Sequence, residues 1–229
     1  MSTTKTVSDI RNDLVNLYHE GKFVTDKTGV KTVEIVGASF IADKPGIIRE
    51  PNLDYVEREI EWYNSMSLYV ADIPGKTPPI WNAVASEHGR INSNYGYLLY
   101  NRDNGSQMSE LCAELSRNEF SRRAIAIYQR PSMHNDYAID GMSDFICTNA
   151  VQYIIRDGKV DCIVQMRSND AVFGYCNDRA WQQVALKHVV TSLKDVYNKE
   201  YGVGQIYWQV GSLHVYERHF DLLKNAEVS

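Results

Sequence analysis

The stretch from Met142 to Asp178, MSDFICTNAVQYIIRDGKVDCIVQMRSNDAVFGYCND, decides the fold class. Two runs rich in β-branched and aromatic residues flank Asp157-Gly158, a pair typical of a tight hairpin turn. The sequence therefore predicts two antiparallel strands. A lone thiol, Cys147, lies near the start of the first strand, and a polar cluster, 167–170, lies at the end of the second.

Helical patterns occur on both sides of this hairpin. Apolar residues recur at helical spacing in the segments 7–20, 52–66, 108–118 and 178–199, and a short helix is expected around 79–86. In the segment 52–66, the residues expected to face inward are Leu53, Val56, Ile60 and Tyr63. Further strands are expected after the turn at 27–29, at 121–131, and within 204–223, where a strand, a polar turn and a helix start follow one another. This mixture predicts a mixed-sheet α/β or α+β fold, with residues 1–229 forming one domain.

Composition narrows the possible function classes. Of 229 residues, 44% are hydrophobic, and the net charge is -5, so broad nucleic-acid affinity, which needs a positive surface, is not expected. No apolar run has the length of a signal core or a membrane span, which predicts a cytoplasmic protein. The four cysteines form no CxxC pair and have no histidine at zinc spacing, so neither disulfides nor a metal site are expected.

A thiol and several cations are candidates for chemistry, each with a structural alternative. Cys147 is a candidate nucleophile, although most strand cysteines are buried and inert. The pairs Arg122-Arg123 and Arg167-Ser168 suit a phosphate, because arginine offers a planar fork of donors and serine a hydroxyl. Lys27 could reach the same anion. The alternative for all of them is a set of solvated strand ends.

Two carboxylates, and a histidine and a tyrosine on one strand, complete the candidate residues. Asp178 precedes the long helix predicted from the sequence, and its structural interpretation is an N-cap. Glu59 lies beside the apolar stripe of its helix; it is either a surface residue or a partly buried carboxylate with a raised pKa that moves protons. His214 and Tyr216 share one face of a strand, which suits two donors to one hydroxyl or a structural pair.

Six segments resemble, in order and spacing, the motifs of the thymidylate synthase family. They are DKTGVKTVEIVGASF from Asp26, REIEWY around Glu59, SRRAIAIY from Ser121, DFICTNAVQY from Asp144, QMRSNDAVFGYCND from Gln165 and GSLHVYERHF from Gly211. The resemblance extends over most of the chain and is closer to the phage deoxycytidylate hydroxymethylases of the T-even type. It implies a thymidylate synthase-like mixed β-sheet with surrounding helices, and a homodimer formed through the sheet.

The resemblance also implies roles for individual residues. Cys147 would be the nucleophile, Glu59 would organise water and move protons, and Asp178 would read the base. Other substrate contacts would come from Lys27, Arg167, Ser168, Asn177, His214 and Tyr216, together with Arg122 and Arg123 from the second subunit. A folate pocket would be lined by Trp81, Asp170, Phe173 and Gly174.

The prediction of the substrate rests on positions at which the sequence differs from the synthase pattern. Synthases have an asparagine eleven residues after the phosphate-binding arginine, and here Asp178 stands eleven residues after Arg167. An amide pairs fully with uracil, whereas a carboxylate accepts from the amino group of cytosine and favours a protonated N3. The resemblance therefore replaces the capping interpretation of Asp178 with recognition of a cytosine nucleotide. Three further departures are Ile146 and Thr148 beside the thiol, and Val84 in place of a second tryptophan.

The reaction implied by the resemblance is a one-carbon transfer to dCMP. The co-substrate would be 5,10-methylenetetrahydrofolate, Cys147 would add to C6 of the base, and water would complete a hydroxymethyl group at C5. A pyrimidine nucleotide methylase, a CMP hydroxymethylase of the same fold, and a non-catalytic nucleotide- or RNA-binding relative remain open. No metal and no membrane are expected, and the location would be the host cytoplasm if a phage encodes the chain.

Overall fold

A computed structural model describes residues 4–25 and 29–226, which contain seven strands and eight α-helices. The strands are β1 (Lys5–Thr6), β2 (Val24–Thr25), β3 (Lys31–Ile41), β4 (Ile125–Ile127), β5 (Thr148–Arg156), β6 (Lys159–Asp170) and β7 (Gly202–Tyr216). The helices are α1 (Val7–His19), α2 (Leu53–Ser65), α3 (Pro79–Val84), α4 (Tyr95–Tyr100), α5 (Gln107–Arg117), α6 (Met133–Asp136), α7 (Gly174–Asp195) and α8 (Phe220–Lys224).

The strands form one mixed sheet in the order β1-β3-β7-β6-β5-β4, and β2 pairs with β3. The central neighbours β6 and β7 run parallel, whereas β5 and β6 form the antiparallel hairpin. Asp170, the last residue of β6, pairs with His214 of β7, and Thr148, the first residue of β5, pairs with Met166. The end of β6 and the residues just before β5 therefore lie at the same end of the sheet.

The hydrophobic core lies between one face of the sheet and the helices. Three tryptophans, Trp62 of α2, Trp181 of α7 and Trp208 of β7, are fully buried there. Alternate residues of β6 point into the same core. Each large apolar side chain that is removed from water in this way stabilises the fold by roughly 2 to 3 kcal/mol. The core therefore holds α2 and α7, which carry site residues, firmly against the sheet.

The opposite face of the sheet is open in the single chain. Ile125 and Ile127 of β4 are 40% and 48% exposed, and Gln165 and Gln209 are exposed neighbours on β6 and β7. Exposed aliphatic side chains in a contiguous row are typical of a surface that a partner covers. This sheet face is called the open face below.

Most of the predicted elements are confirmed. The hairpin turns at Asp157-Gly158, where both residues have positive φ (49° and 72°), as a tight turn of this kind requires. The helices predicted at 7–20, 52–66, 79–86 and 108–118 are all present within two residues of the predicted ends. The mixed sheet with surrounding helices is also confirmed.

Three details of the prediction are wrong. Helix α7 begins at Gly174 and not at 178, because Asp170 already accepts hydrogen bonds from the backbone N–H groups of Val172 (3.0 Å) and Phe173 (3.2 Å). The strand predicted at 121–131 contains only Ile125–Ile127, and short helices at 95–100 and 133–136 were not foreseen. Leu53 is 67% exposed, while Trp62 takes an inward position on α2.

The strand, polar turn and helix start expected within 204–223 are confirmed. Strand β7 continues to Tyr216, the polar residues Glu217–His219 form the turn, and α8 follows. A Cβ atom at Gly211 would lie 2.8 Å from the backbone oxygen of Arg167, so this glycine permits the close approach of β6 and β7.

Candidate active site

Cys147 lies immediately before β5, with its thiol half-buried. The segment that leads to it is anchored by the buried carboxylate of Asp144. This carboxylate accepts hydrogen bonds from the backbone N–H groups of Asn92 (2.7 Å) and Ser93 (2.8 Å) and from the Ser93 hydroxyl (2.7 Å). Three bonds to one anchor hold the segment in place, so the position of the thiol is fixed by the fold and not by a loose loop.

The guanidinium of Arg167 lies beside the thiol. Its Nη2 atom is 3.5 Å from Cys147 Sγ, and it donates to the backbone oxygens of Phe145 (2.6 Å) and Ile146 (3.0 Å). The same guanidinium packs on the Phe145 ring, 4.8 Å from its centre. Because the residue is exposed, its remaining N–H groups face solvent, where they can bind an anion.

Burial raises the pKa of the Cys147 thiol to about 11, with smaller increases from the charges of Asp178 and Asp144. The charge of Arg167 lowers this pKa, as expected from the sequence, but the effect of burial is larger. The thiol is therefore protonated at neutral pH in the free chain. Attack on a base requires that the proton leave as the sulfur adds.

Asp178 lies in the second turn of α7 and shares its surroundings with the thiol. Its Oδ2 atom accepts a hydrogen bond of 2.7 Å from Asn169 Nδ2, and the Tyr95 hydroxyl is a second donor to the carboxylate. Burial, and then the charge of Glu59, raise the pKa of Asp178 to about 8. Arg167 donates its backbone N–H to the Cys147 oxygen (2.9 Å), and Asn169, two residues further along β6, binds Asp178, so neighbouring positions of one strand hold the two residues.

Glu59 lies on the buried face of α2, only 4% exposed. Its Oε1 atom accepts a hydrogen bond of 2.6 Å from the Tyr55 hydroxyl, one helical turn earlier. That hydroxyl in turn accepts 2.7 Å from Trp81 Nε1 of α3. Burial raises the pKa of Glu59 to about 7, although the two hydrogen-bond donors lower it. A carboxyl group with this pKa can both give and take a proton near neutral pH.

His214 and Tyr216 lie near the end of β7, and their rings contact edge to face with centres 4.7 Å apart. Burial lowers the pKa of His214, which keeps the imidazole neutral. Burial raises the pKa of Tyr216, and the charges of Asp170 and, more weakly, Cys147 act in the same direction. Ser168 pairs with Ser212 across β6 and β7, next to this ring pair.

The connection from β6 to α7 carries three of the residues predicted for a folate pocket. Asp170 binds the backbone N–H groups of the turn that leads into α7, as described above. Phe173 is 44% exposed, with the Arg49 guanidinium 4.6 Å from its ring centre and the His219 ring at its edge. Gly174 faces the base-reading side, because a Cβ atom there would lie 3.2 Å from Asn169 Nδ2.

Two predicted substrate residues, Arg122 and Arg123, are not brought to Cys147 within one chain. Arg122 and Arg123 are exposed and precede β4, which pairs with the far half of β5, and Arg123 forms a salt bridge of 3.0 Å with Glu114. Asn177 is half-buried on α7, beside Asp178 in sequence. Lys27 lies outside the described residues.

Two negative findings hold for residues 4–25 and 29–226. No group of three or more His, Cys, Asp or Glu side chains in these ranges is arranged to hold a metal ion. Within the same ranges, none of the helices combines the length and apolar character needed to cross a membrane.

Comparison with known proteins fits this geometry. The family model described as thymidylate synthase matches residues 11–227. The chain belongs to the thymidylate synthase family. The thermostable thymidylate synthase A from Bacillus subtilis has the same fold: it superposes with a TM-score of 0.68 at 21% identity, covering 96% of this chain and 83% of that structure.

Within the thymidylate synthase family, two phage proteins are similar over nearly the whole chain. The deoxycytidylate 5-hydroxymethyltransferases of Enterobacteria phages T4 and T6 are each 54% identical over 224 residues. The matched residues cover 97% of this chain and 91% of each phage protein. A thymidylate synthase from Francisella philomiragia is 26% identical over 211 residues, so the phage proteins share about twice as many positions with this chain.

The site of this thymidylate synthase family member contains residues that sequence reasoning missed. Tyr55 and Tyr95 were not singled out from the sequence, because neither lies in one of the segments that resemble family motifs. Asn169 was seen only as one member of a polar cluster. The signal that could have found it is its position: it lies between two predicted site residues, Ser168 and Asp170, at the end of a strand.

Proposed function

We propose that the chain transfers a one-carbon unit to C5 of dCMP and adds water, which gives 5-hydroxymethyl-dCMP. The observation that carries the proposal is a carboxylate, Asp178, near the nucleophile candidate Cys147, where a synthase would have an amide. A carboxyl group can accept from the N4 amino group of cytosine, whereas with uracil an ionised carboxylate would face the O4 acceptor without a donor. The names of the two phage relatives support the same activity. Residues 1–229 would form one catalytic domain.

Separate groups of site residues have proposed tasks in binding the phosphate, the ribose and the base. The outward N–H groups of Arg167, with Ser168 and Lys27, would hold the 5′-phosphate. His214 and Tyr216 would bond the ribose hydroxyl, and Asp178, with Asn177, would hold the edge of the base. The 2.6 Å and 3.0 Å bonds from Arg167 to backbone oxygens support this division, because they aim the guanidinium before a ligand arrives.

The covalent step would begin with Cys147. Its sulfur would add to C6 of the cytosine, which makes C5 nucleophilic, and the thiol proton would leave as the bond forms. Glu59 would take and return protons and orient the water that becomes the hydroxyl group; its pKa of about 7 supports this task. At the end of the cycle the sulfur would leave by elimination.

The one-carbon unit would come from 5,10-methylenetetrahydrofolate as a co-substrate. Trp81, Asp170, Phe173 and Gly174 would line its pocket. The exposed ring of Phe173 supports this assignment, because a flat pteridine or benzoyl group could stack on an aromatic face that is already stiffened by Arg49. Trp81 would contact both the folate and, through Tyr55, the proton-transfer carboxylate.

The active species would be a homodimer formed through the open face. Two observations support it: the exposed row that includes Ile125 and Ile127, and the location of Arg122 and Arg123 far along β5 from the thiol. Arginines that cannot reach the site of their own chain can reach that of a two-fold partner. Each phosphate would then be held by both subunits.

A product assay tests the proposed function. The protein is incubated with 5,10-methylenetetrahydrofolate and dCMP, CMP or dUMP tritiated at C5. We expect tritium release with dCMP, tetrahydrofolate as the folate product, and a hydroxymethyl group in the nucleotide. Dihydrofolate formation would instead indicate methylation, faster turnover of CMP would indicate a ribonucleotide enzyme, and dCMP binding without release would indicate a non-catalytic relative.

A further inference from the structure

Asn169 is buried beside the base-reading carboxylate. It is 3% exposed at the end of β6, and its Nδ2 atom donates 2.7 Å to Asp178 Oδ2. Among the described residues its Oδ1 atom has no hydrogen-bond partner, so the contact with Asp178 is the polar interaction that fixes the amide. Gly174 leaves room for this contact, because a Cβ atom would lie 3.2 Å from Nδ2. The chain therefore keeps a buried amide in contact with one oxygen of one carboxyl group.

This contact bears on a problem of base recognition. A neutral carboxyl group can pair with either pyrimidine, depending on which oxygen carries the proton. With the proton on the oxygen that faces N3, it donates to N3 of cytosine and accepts from the amino group. With the proton on the other oxygen, it accepts from N3–H of uracil and donates to O4. Asp178, whose pKa is about 8, carries a proton in a large fraction of molecules at neutral pH. Its residue type alone therefore does not exclude uracil.

We propose that Asn169 is a specificity-determining residue, which keeps the C4-facing oxygen of Asp178 an acceptor and so makes the carboxyl group read cytosine and reject uracil. An N–H group that points at Oδ2 makes protonation of that oxygen unfavourable. The carboxyl proton is therefore held on Oδ1. Oδ1 then faces N3, and Oδ2 accepts from both Asn169 and the cytosine amino group. This inference rests on the proposed function and adds the contact that sets the enzyme's selectivity for cytosine.

The titratable groups around Asp178 do not select an oxygen in the same way. Glu59 raises the pKa of Asp178 through its charge, and Asp170 does so more weakly, but a nearby charge favours the protonated form without a bond to a particular oxygen. The Tyr95 hydroxyl can rotate to donate or to accept, so it adapts to either state. In the orientation observed here, the Asn169 amide presents its nitrogen to Oδ2, and an amide nitrogen can only donate. Asn169 is thus the neighbour whose contact distinguishes the two oxygens.

The test is how the preference for dCMP over dUMP depends on pH. The ratio of kcat/KM for dCMP to that for dUMP is measured from pH 6 to pH 9 in the wild type and in Asn169→Leu, which has a similar volume without a donor. We expect the wild-type ratio to change little with pH. In Asn169→Leu we expect the ratio to fall about fivefold below pH 8, since Asp178 is neutral there and a lost hydrogen bond between neutral groups costs about that factor. The fall should lessen as Asp178 ionises.

Two controls keep the result interpretable. In an Asp178→Asn background there is no carboxyl proton to redirect, so adding Asn169→Leu should introduce no new pH dependence. Asn169→Ala provides a second variant if the leucine side chain prevents folding, which thermal denaturation reports. A ratio that stays at the wild-type value at every pH, in a folded variant, overturns the inference. Failure of the wild type to turn over dCMP would instead overturn the proposed function, so the two failures are distinct.

Discussion

Replacing Tyr55 with phenylalanine removes the one oxygen that links Trp81 to Glu59. In the wild type this hydroxyl donates 2.6 Å to Glu59 Oε1 and accepts 2.7 Å from Trp81 Nε1. Burial raises the pKa of Glu59 to about 7, and the Tyr55 bond holds it below the value that burial alone would give. The substitution therefore raises the pKa of Glu59 further.

The size of the effect follows from the bond that is lost. A hydrogen bond to a charged group contributes about 1.5 to 3 kcal/mol, and one pKa unit corresponds to about 1.4 kcal/mol. Trp81 also lowers the pKa of Glu59, and its N–H group, which Tyr55→Phe frees, compensates in part. We expect an increase of about one unit, so the acidic limb of kcat/KM for dCMP should move from near pH 7 to near pH 8.

Folding stability should report the same change. The pKa of Glu59 is raised by folding, from 4.5 to about 7, so the native chain binds more protons than the unfolded chain between these values. Stability is therefore highest below pH 4.5 with respect to this group, and it falls by about 3 kcal/mol as the pH rises to 7. In Tyr55→Phe the fall should continue to about pH 8.

Tritium release from dCMP across pH 5 to 9 gives the first readout, and urea denaturation at several pH values gives the second. Tyr97→Phe is the matched control, because Tyr97 is likewise half-buried, on α4, whereas the tyrosine that donates to Glu59 is Tyr55. An acidic limb that stays in place in Tyr55→Phe, or that moves to lower pH, would refute the reasoning. Equal shifts in both tyrosine variants would also refute it.

Four further outcomes are expected. Cys147→Ala should abolish tritium release while calorimetry still detects dCMP binding, since the sulfur is needed for the covalent step only; residual turnover above about 1% would contradict this. Asp178→Asn should shift the kcat/KM preference toward dUMP, because an amide pairs fully with uracil, and an unchanged ratio would mean that another residue reads the base. Mixing the Cys147→Ala protein with Arg123→Ala should restore activity through hybrid dimers, and additive residual rates would argue against shared sites. Asn94→Ala should lower the free energy of unfolding by about 3 kcal/mol in urea, since this buried amide makes three hydrogen bonds of 2.8 to 3.0 Å; a loss below about 1 kcal/mol would contradict it.

The fold was predictable to the extent that local patterns are strong. The Asp157-Gly158 turn and the apolar stripes of α1, α2 and α5 depend on neighbouring residues only, and these elements are confirmed. The start of α7 was not predictable in this way, because the Asp170 side chain, at the end of the preceding strand, holds the turn that leads into the helix. The role of Gly211 was hidden for a similar reason: this glycine permits the approach of β6, which a pattern along one strand cannot reveal.

The candidate site divides in the same way. Residues within recognisable motifs, such as Cys147 and Asp178, could be named from the sequence. The contacts that support these residues could not be predicted from the sequence. Tyr55 bonds to Trp81 on another helix, and Asn169 bonds to Asp178 on the helix that follows its strand. A pKa depends on burial and on neighbours in space, so the protonated thiol and the half-ionised Glu59 emerge only from the folded chain.

The short connection between β6 and α7 has a consequence for ligand length. Arg167, Asn169 and Asp178 all belong to one strand–loop–helix unit, in which only residues 171–173 separate strand from helix. Such a unit cannot stretch, so the span from the proposed phosphate site to the base edge is constant. A nucleoside diphosphate seated by its terminal phosphate would carry its base too far, and a free nucleoside would lack the contact that sets its depth. Monophosphates are then selected by reach as well as by charge.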